Sequence, residues 1–474
     1  FIRTMEFTRT KIICTVGPAT QDIKTLKKLH NEGMNVVRIN MSHADHKQAK
    51  AIISRINKIN SELSKNATPI GILLDTQGPE IRTGDTAMPL DLVTGDEVTL
   101  TVRDQVDVET SSIKINYKDL ISSVNPGSKI TVDNGLINFS VLSKDEDTLL
   151  CKVIDGGKIG SKRHVNLPGV RVNLPSITSK DLKDIQFGIK HNVDFIALSF
   201  VRSEEDLMKL REILKDSSST ARIIAKIENQ EGLDNINEIC KASDGVMVAR
   251  GDLGIETSLA DLPNIQRKIM FACAKWGKRS IVATHLLESM IENPTPTRAE
   301  VTDIANAIYE GADAIMLSGE TSIGKHPIEC VKFLKSISLK TEQFKTLGYE
   351  ENLVSDSDWQ HLGVAANQLA QSVKADGIIV VTRTGYTGNI VSNAKPFNIP
   401  IFCFTNSKST LNHLSLVGST QAYFLKNISN HDRAIKSISK KLKDYYKTKD
   451  ELKFVMISGI FSEEHSEAIQ VINF

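Results

Sequence analysis

The sequence predicts an α/β protein. It reads as a parallel (β/α)8 TIM barrel, a small β-barrel-like lid inserted into it, and a C-terminal α/β regulatory domain. Three observations carry this. Eight short, apolar, β-branched runs recur between residues 11 and 317, with helical patterns filling most gaps. Near-continuous hydrophobicity is the mark of strands buried on both faces of a parallel sheet. The spacing is regular except between the third and fourth runs, where a long segment intervenes. The pattern then changes after about Thr341. The expected division is 1–83 with 167–340 for the barrel, 84–166 for the lid and 341–474 for the last domain.

In chain order the eight runs are Lys11–Thr15, Val36–Asn40, Ile70–Asp75, Asp194–Ser199, Arg222–Ile227, Gly245–Ala249, Ser280–Thr284 and Asp313–Leu317. Thr178-x-x-Asp181 is a capping box that opens the helix before the fourth run. Thr297-x-x-Glu300 is another. Val301, Ile304, Ala305 and Ile308 follow it at helical spacing, and Gly311 ends that helix. The insert has alternating strands such as Glu97–Val102 and Lys129–Val132, with turns at Pro126-Gly127 and Gly156-Gly157. In the last domain Gly377–Val381, Ile401–Phe404 and Phe454–Ile457 alternate with helical stretches. The lysine-rich stretch Lys440–Lys449 reads as a solvated helix face.

Composition narrows the function classes. Hydrophobic residues are 40% and charged residues 24%, and the net charge is +1. No global basic excess points to nucleic acid. The six cysteines, Cys14, Cys151, Cys240, Cys273, Cys330 and Cys403, form no C-x-x-C pair. They read as buried reduced thiols rather than a disulfide framework or a zinc site. No apolar run approaches the roughly 18 residues that a membrane span needs. No signal peptide is recognised. Phe1-Ile2-Arg3-Thr4 reads as a scar ahead of a natural start at Met5. The expected location is cytoplasmic, with no nucleic-acid or membrane partner.

Polar residues gather at the C-terminal ends of the runs, where barrels of this kind carry function. Arg38, Asn40, Ser42 and His43 end the second. Asp75, Thr76, Glu80 and Arg82 follow the third, and Ser199 to Arg202 the fourth. Lys226 and Glu228 end the fifth; Arg250-Gly251-Asp252-Leu253-Gly254 ends the sixth. Thr284 and His285 end the seventh, and Ser318 and Glu320 the eighth. Residues two apart on a strand share a face, so Lys226 and Glu228 point the same way. Carboxylates from neighbouring strands can share a hard ion such as Mg²⁺. Arginine and lysine can hold phosphate, the first as a fork and the second as a point charge. K-x-E and G-D-L-G are each weak signals alone. The combined set predicts a Mg²⁺-dependent barrel enzyme acting on a small phosphorylated anion.

Several blocks resemble pyruvate kinases. They are KIICTVGPAT (11–20), GMNVVRINMSH (33–43), LLDTQGPEIRTG (73–84), VNLPGVRVNLPSITSKD (165–181), AKIENQEG (225–232), VMVARGDLG (246–254) and PTPTRAEVTDIANAI…GADAIMLSGET (294–321). The resemblance implies transfer of a phosphoryl group from phosphoenolpyruvate to ADP, giving pyruvate and ATP. It also implies Mg²⁺ (or Mn²⁺) and K⁺, and a homotetramer. Glu228 and Asp252 would hold Mg²⁺; Asn40, Ser42, Asp75 and Thr76 would hold K⁺. Arg38 would bind the substrate phosphate, and Lys226 would stabilise the phosphoryl group in transit. Gly251, Asp252 and Thr284 would bind the carboxylate, with Thr284 and Ser318 near the path of enolate protonation. Asn40, His43, Arg82 and, from the lid, Arg163 would meet the nucleotide. Glu80 stands where members that work without K⁺ tend to carry lysine, so K⁺ dependence is expected.

Departures from the family pattern are Asn134 in Val132-Asp133-Asn134-Gly135, the run Lys162-Arg163-His164, and His285. None removes a metal ligand or Lys226. In the last domain Thr382, Arg383, Thr384, Gly385 and Thr387 resemble the family's effector-phosphate loop. The acidic segment 457–467 replaces a glycine-rich loop and would repel a second phosphate. Fructose 1,6-bisphosphate is not expected; the alternatives are an allosteric effector with a single phosphate, such as a sugar phosphate or a nucleoside monophosphate, and no effector. Two other readings compete. An aldolase or lyase of the Mg²⁺–enolate barrel group would need neither the lid, the Asn40–Asp75 cage nor Arg82. A non-catalytic metabolite-binding scaffold would show damage at Lys226, Glu228 or Asp252.

Overall fold

Eight parallel strands close on themselves in the computed structural model, which describes residues 7–63, 68–86, 88–103, 112–133, 135–170, 172–426, 428, 430–448, 450–458 and 468–474. They are β1 (Lys11–Thr15), β2 (Met34–Asn40), β3 (Gly71–Asp75), β4 (Phe195–Leu198), β5 (Arg222–Ile227), β6 (Gly245–Ala249), β7 (Arg279–Ala283) and β8 (Ala314–Leu317). Each pairs with its sequence neighbours, and β1 with β8 closes the ring. The expected runs match these strands to within two residues at either end. The expected start at Met5 lies outside the described residues.

Alternation along the strands divides the core in two. Ile13, Val36, Leu73, Ala197, Ile224, Met247, Ile281 and Met316 form one buried cluster, the packing of the barrel's interior. Their neighbours Ile12, Cys14, Val37, Ile72, Ile196 and Val246 belong to another, packed against the surrounding helices. The period of two fixes what comes next on the inner face. Two residues beyond Ile13, Val36, Leu73, Ala197 and Ile224 stand Thr15, Arg38, Asp75, Ser199 and Lys226. A polar layer therefore sits directly on the apolar one.

Both capping boxes form. Thr178 Oγ1 accepts from Asp181 N at 3.1 Å, and Asp181 Oδ2 accepts from Thr178 N at 3.0 Å. Thr297 and Glu300 make the same exchange, and Gly311 follows the helix Arg298–Tyr309 at φ +82°. Asp181 also accepts from Gly78 N at 3.0 Å, tying this helix start to the loop after β3.

Between β3 and β4 lies a second sheet. Its spatial order is Ile81–Arg82, His164–Asn166, Lys129–Val132, Ile137–Lys144, Thr148–Asp155, Glu97–Thr101 and Ser112–Lys114. The two edges meet, through a bridge from Thr83 to Ile115 and a bond from Gly84 N to Lys114 O of 2.7 Å. The sheet thus closes like a small barrel, around its own core of Leu100, Phe139 and Leu149.

The C-terminal sheet contains β9 (Gly377–Val381), β10 (Ile401–Thr405), β11 (Thr420–Phe424), β12 (Lys453–Ser458) and β13 (Ala468–Asn473), in the spatial order β11-β10-β9-β12-β13. Four strands are parallel, and β13 is an antiparallel edge. Leu416 from this part of the chain joins the apolar cluster inside the barrel, at the end opposite the polar layer. Lys440 and Lys443 fall on the outer face of the helix His431–Tyr446, which buries Ala434, Ile438 and Leu442; Lys449 lies outside the described residues. The described cysteines are all buried and unpaired. No helix among the described residues is long and apolar enough to cross a membrane.

Candidate active site

Lys226 is the centre of the polar layer. Its ammonium is buried and lies 2.7 Å from Ser199 Oγ, 2.9 Å from Glu228 Oε1 and 3.1 Å from Asp75 Oδ1. Burial works against the charge, but Asp75 and then Glu228 overcome it and hold the pKa above the ordinary lysine value. Burial likewise opposes the Asp75 charge. There Lys226 and Arg38 prevail, and the carboxyl is held below its ordinary range. Arg38 Nε donates to Asp75 Oδ2 at 2.6 Å, and its NH1 donates to Thr15 Oγ1 at 3.0 Å. Asp75 therefore binds two cations from neighbouring strands and stays ionised.

Glu228 and Asp252 form the opposite kind of pair. Burial pushes Glu228 up to about 7, against the pull of Lys226, and the adjacent Asp252 carboxyl adds to the rise. Asp252 is raised by burial too, against the pull of Lys226, and Glu80 and Glu256 add to the rise. For both carboxyls burial outweighs the neighbouring Lys226 ammonium. The backbone contributes one donor, from Phe200 N to Glu228 Oε2 at 2.5 Å, and Phe200 stands at φ +54° to make it.

Thr284 is shaped by its backbone. It has φ +68° and His285 has φ +54°, two successive non-glycine residues in the left-handed region. Such strain costs of order 1–3 kcal/mol per residue and clusters at functional sites. The turn is held by Arg250, whose guanidinium donates to the carbonyls of Ala283 and Thr284 and to both oxygens of Asp303, the latter at 2.7 Å. Gly251 N donates to Thr284 Oγ1 at 2.9 Å, so the two expected carboxylate-binding groups are in contact with each other. Ser318 Oγ is buried with no hydrogen-bond partner among the described residues, while its N–H donates to Glu320 at 2.7 Å.

Asn40 and Asp75 face each other in the β2–β3 register. Asn40 Oδ1 accepts from Ser42 N at 3.1 Å, and the Thr76 carbonyl accepts from Ser199 Oγ at 2.7 Å. This is a set of hard oxygens around an ionised carboxylate. His43 is exposed on the turn that follows. Arg82 is held by Glu80 Oε2 at 2.7 Å and donates to the Lys162 carbonyl at 2.8 Å. Among the described residues the Arg163 guanidinium is paired with Asp133, at 3.4 Å, on the exposed surface of the lid. Neither arginine meets the Lys226 cluster. A cleft of about 440 Å³ separates lid from barrel, walled by Ile81, His164 and Asn166 on one side and Phe200, Asn229 and Glu256 on the other.

The effector-like loop folds back on itself. Thr382 Oγ1 accepts from Gly385 N at 3.0 Å, Thr384 Oγ1 from Tyr386 N at 3.3 Å, and Arg383 O from Thr410 Oγ1 at 2.8 Å. Thr387 is buried in the first turn of the helix Tyr386–Asn393. Asn134 and residues 459–467 lie outside the described residues.

Sequence reasoning named the cations and carboxylates of the mouth and passed over Ser199 and Arg250 as actors. Ser199 was recoverable, because it is two residues beyond the inward-facing Ala197. Arg250 was not, since its partner Asp303 is on a distant helix.

A family model for the pyruvate kinase barrel domain matches residues 7–331, and one for the pyruvate kinase alpha/beta domain matches residues 360–472. A pyruvate kinase of Staphylococcus epidermidis is 42% identical over 415 residues, covering 86% of this chain and 70% of that protein. Plastidial pyruvate kinase 2 of Arabidopsis thaliana is 42% identical over 416 residues, with the same coverage. The crystal structure of a pyruvate kinase from Cryptosporidium parvum superposes with a TM-score of 0.93 at 32% identity, over 98% of this chain and 96% of that one.

Proposed function

The chain belongs to the pyruvate kinase family, and we propose that its barrel mouth performs the family's phosphoryl transfer through the residues placed there. The activity is transfer of the phosphoryl group of phosphoenolpyruvate to ADP. The observation that carries the residue assignment is the buried cluster of Lys226, Asp75, Arg38 and Glu228 on one inner face.

Glu228 and Asp252 would hold Mg²⁺ (or Mn²⁺). Among the described residues no three His, Cys, Asp or Glu converge as a complete metal cage. A pair of carboxylates, with substrate oxygens completing the shell, is the usual Mg²⁺ arrangement. Both are buried acidic groups, and a bound cation would supply counter-charge to them. Asn40, Ser42, Asp75 and Thr76 supply oxygens that fit K⁺. Bound there, these ions would neutralise negative charge on the phosphoryl and carboxylate oxygens.

The chain's own groups do the rest. Arg38, fixed by Asp75 and Thr15, presents its guanidinium to the substrate phosphate. Lys226 stays fully charged and gives the phosphoryl group a positive neighbour as it moves. Little covalent chemistry is asked of the protein in such transfers; positioning and charge do most of the work. Gly251, Asp252 and the Thr284 hydroxyl receive the substrate carboxylate, exchanging the Gly251–Thr284 bond for bonds to it. Thr284 and the unpartnered Ser318 hydroxyl line the path by which the enolate gains its proton. Asn40, His43, Arg82 and Arg163 bind the nucleotide, Arg163 when the lid closes. The Thr382–Thr387 loop takes an effector phosphate. The division into 1–83 with 167–340, 84–166 and 341–474, a cytoplasmic location and a homotetramer complete the proposal.

The test is pyruvate formation from phosphoenolpyruvate and ADP with Mg²⁺, in K⁺ and in Na⁺ at equal ionic strength. Activity that requires K⁺ is expected; activity indifferent to K⁺ overturns the roles of the oxygen cage and Glu80. Lys226→Met should lower kcat by at least about 10²-fold, the scale of losing one electrostatic stabiliser. A smaller loss removes Lys226 from the mechanism.

A further inference from the structure

The helix Ser179–Lys190 begins where the lid's return segment, after His164–Asn166, comes back to the barrel. Its first two turns carry three charged side chains that the mechanism does not use. Asp181 grips the loop after β3 through Gly78 N. Lys180 and Asp184 grip a different loop, residues 41–45, which follows β2.

Lys180 Nζ donates to the Met41 carbonyl at 2.7 Å and to Asp184 Oδ2 at 2.7 Å. The other oxygen of Asp184 lies 2.7 Å from His46 Nε2. His46 opens the helix His46–Glu62, and its ring stacks on Phe187 with centroids 4.5 Å apart. The loop is therefore held from outside at both ends, by Lys180 at Met41 and by Asp184 at His46. Asp184 is 3% exposed. A buried carboxylate is costly without partners, which fixes Lys180 and His46 around it. An i,i+4 pair within a helix is worth only a few tenths of a kcal/mol and accounts for Lys180 beside Asp184. It does not account for the bond to Met41.

Met41 is the residue between Asn40 and Ser42. Its side chain is buried, and its N–H donates to the Asp75 carbonyl at 2.9 Å. With the carbonyl on Lys180, both of its peptide groups are fixed. The peptide that Lys180 holds is the one leading into Ser42 and His43. Its donor is charged, and such bonds are roughly twice as strong as neutral ones.

We propose that Lys180 is a positioning residue for the Asn40–His43 turn. By holding the Met41 carbonyl it sets where Ser42 and His43 stand. Because its helix starts at the end of the lid's return segment, it ties their position to that of the lid. The proposal rests on the K⁺ and nucleotide roles assigned above.

Lys180→Met keeps the stem and removes the donor; Lys180→Arg keeps a donor. The side chain is half-exposed and borders a cavity of about 250 Å³, so neither change overpacks the core. The first readout uses the full chain without substrates. Its unfolding midpoint is titrated with K⁺ against Na⁺ at equal ionic strength, since an ion that binds the folded chain raises the midpoint. Lys180→Met should raise the K⁺ concentration for half the effect about 5-fold, the worth of one hydrogen bond, and Lys180→Arg should restore most of it. The second readout is kinetic. The KM for ADP should rise in Lys180→Met, with the KM for phosphoenolpyruvate and the kcat at saturating K⁺ unchanged. If Lys180→Met does not fold, Asp184→Asn should show the same split. A K⁺ response and a KM for ADP that ignore these variants, in a wild type that needs K⁺, overturn the proposal and keep the oxygen cage. Equal rises in both KM values make Lys180 a general support of the fold and also overturn it. A wild type whose midpoint and activity ignore K⁺ overturns both the proposal and the cage.

Discussion

His413 sets an acid limit on the molecule. Burial, and then the nearby Arg222, push its pKa down to about 4 from 6.5. A histidine that is hard to protonate when folded and easy when unfolded favours the unfolded chain as the pH falls below 6.5. The contribution is fully present above that value and is lost on the way down to pH 4. At pH 5 the penalty is about 2 kcal/mol. Urea unfolding at pH 7.5 and pH 5 should therefore show wild type losing more stability than His413→Leu over that interval; equal losses would refute this assignment. The same scale shows what a single residue reveals in the sequence. Lys226 and Glu228 announced themselves by type and spacing, and the structure pairs them at 2.9 Å. His413 gave no signal, because its meaning depends on Phe195 and Asp194, more than two hundred positions away.

Among the elements, helix Ser179–Lys190 does more than support its strand. Asp181 closes the capping box and also accepts Gly78 N, so one buried carboxylate fixes both the helix start and the loop leading to Glu80 and Arg82. Thr178→Ala should cost about 1 kcal/mol, the ordinary value of a lost cap. Asp181→Ala should cost about 2–4 kcal/mol, since it also leaves a buried N–H unpaired. Thermal unfolding of the two variants checks the order; equal shifts would mean the Gly78 bond contributes nothing. The box was legible because both partners lie within one turn. Strands β11 and β13 were not. β11 is short and mixed in composition, and β13 is a largely exposed edge strand whose alternation is too weak to separate from a loop.

At the scale of the whole molecule, the barrel and its interruption were legible because βα repeats are regular and a gap in them is conspicuous. The attachment of the parts was not, since it depends on carbonyls that carry no residue identity. Arg202 shows this. It donates to the carbonyls of Val172 and Leu174 at 2.8 Å each, strapping the segment by which the lid returns to the barrel. Arg202→Ala should speed hydrogen exchange in residues 135–170 while leaving β5–β8 unchanged, and should raise the KM for ADP more than that for phosphoenolpyruvate. Unaltered exchange in the lid would show that the strap is not what restrains it. Leu416 makes the parallel point at the other end. It completes the apolar interior of the barrel from a segment more than ninety residues beyond β8. A cork and its bottle must be cut to one bore. Chimaeras that join this barrel to the last domain of a relative should assemble only where the residue at position 416 matches the apolar interior to which Val36, Leu73 and Phe195 belong, so recombination between family members is restricted by the fit of one side chain.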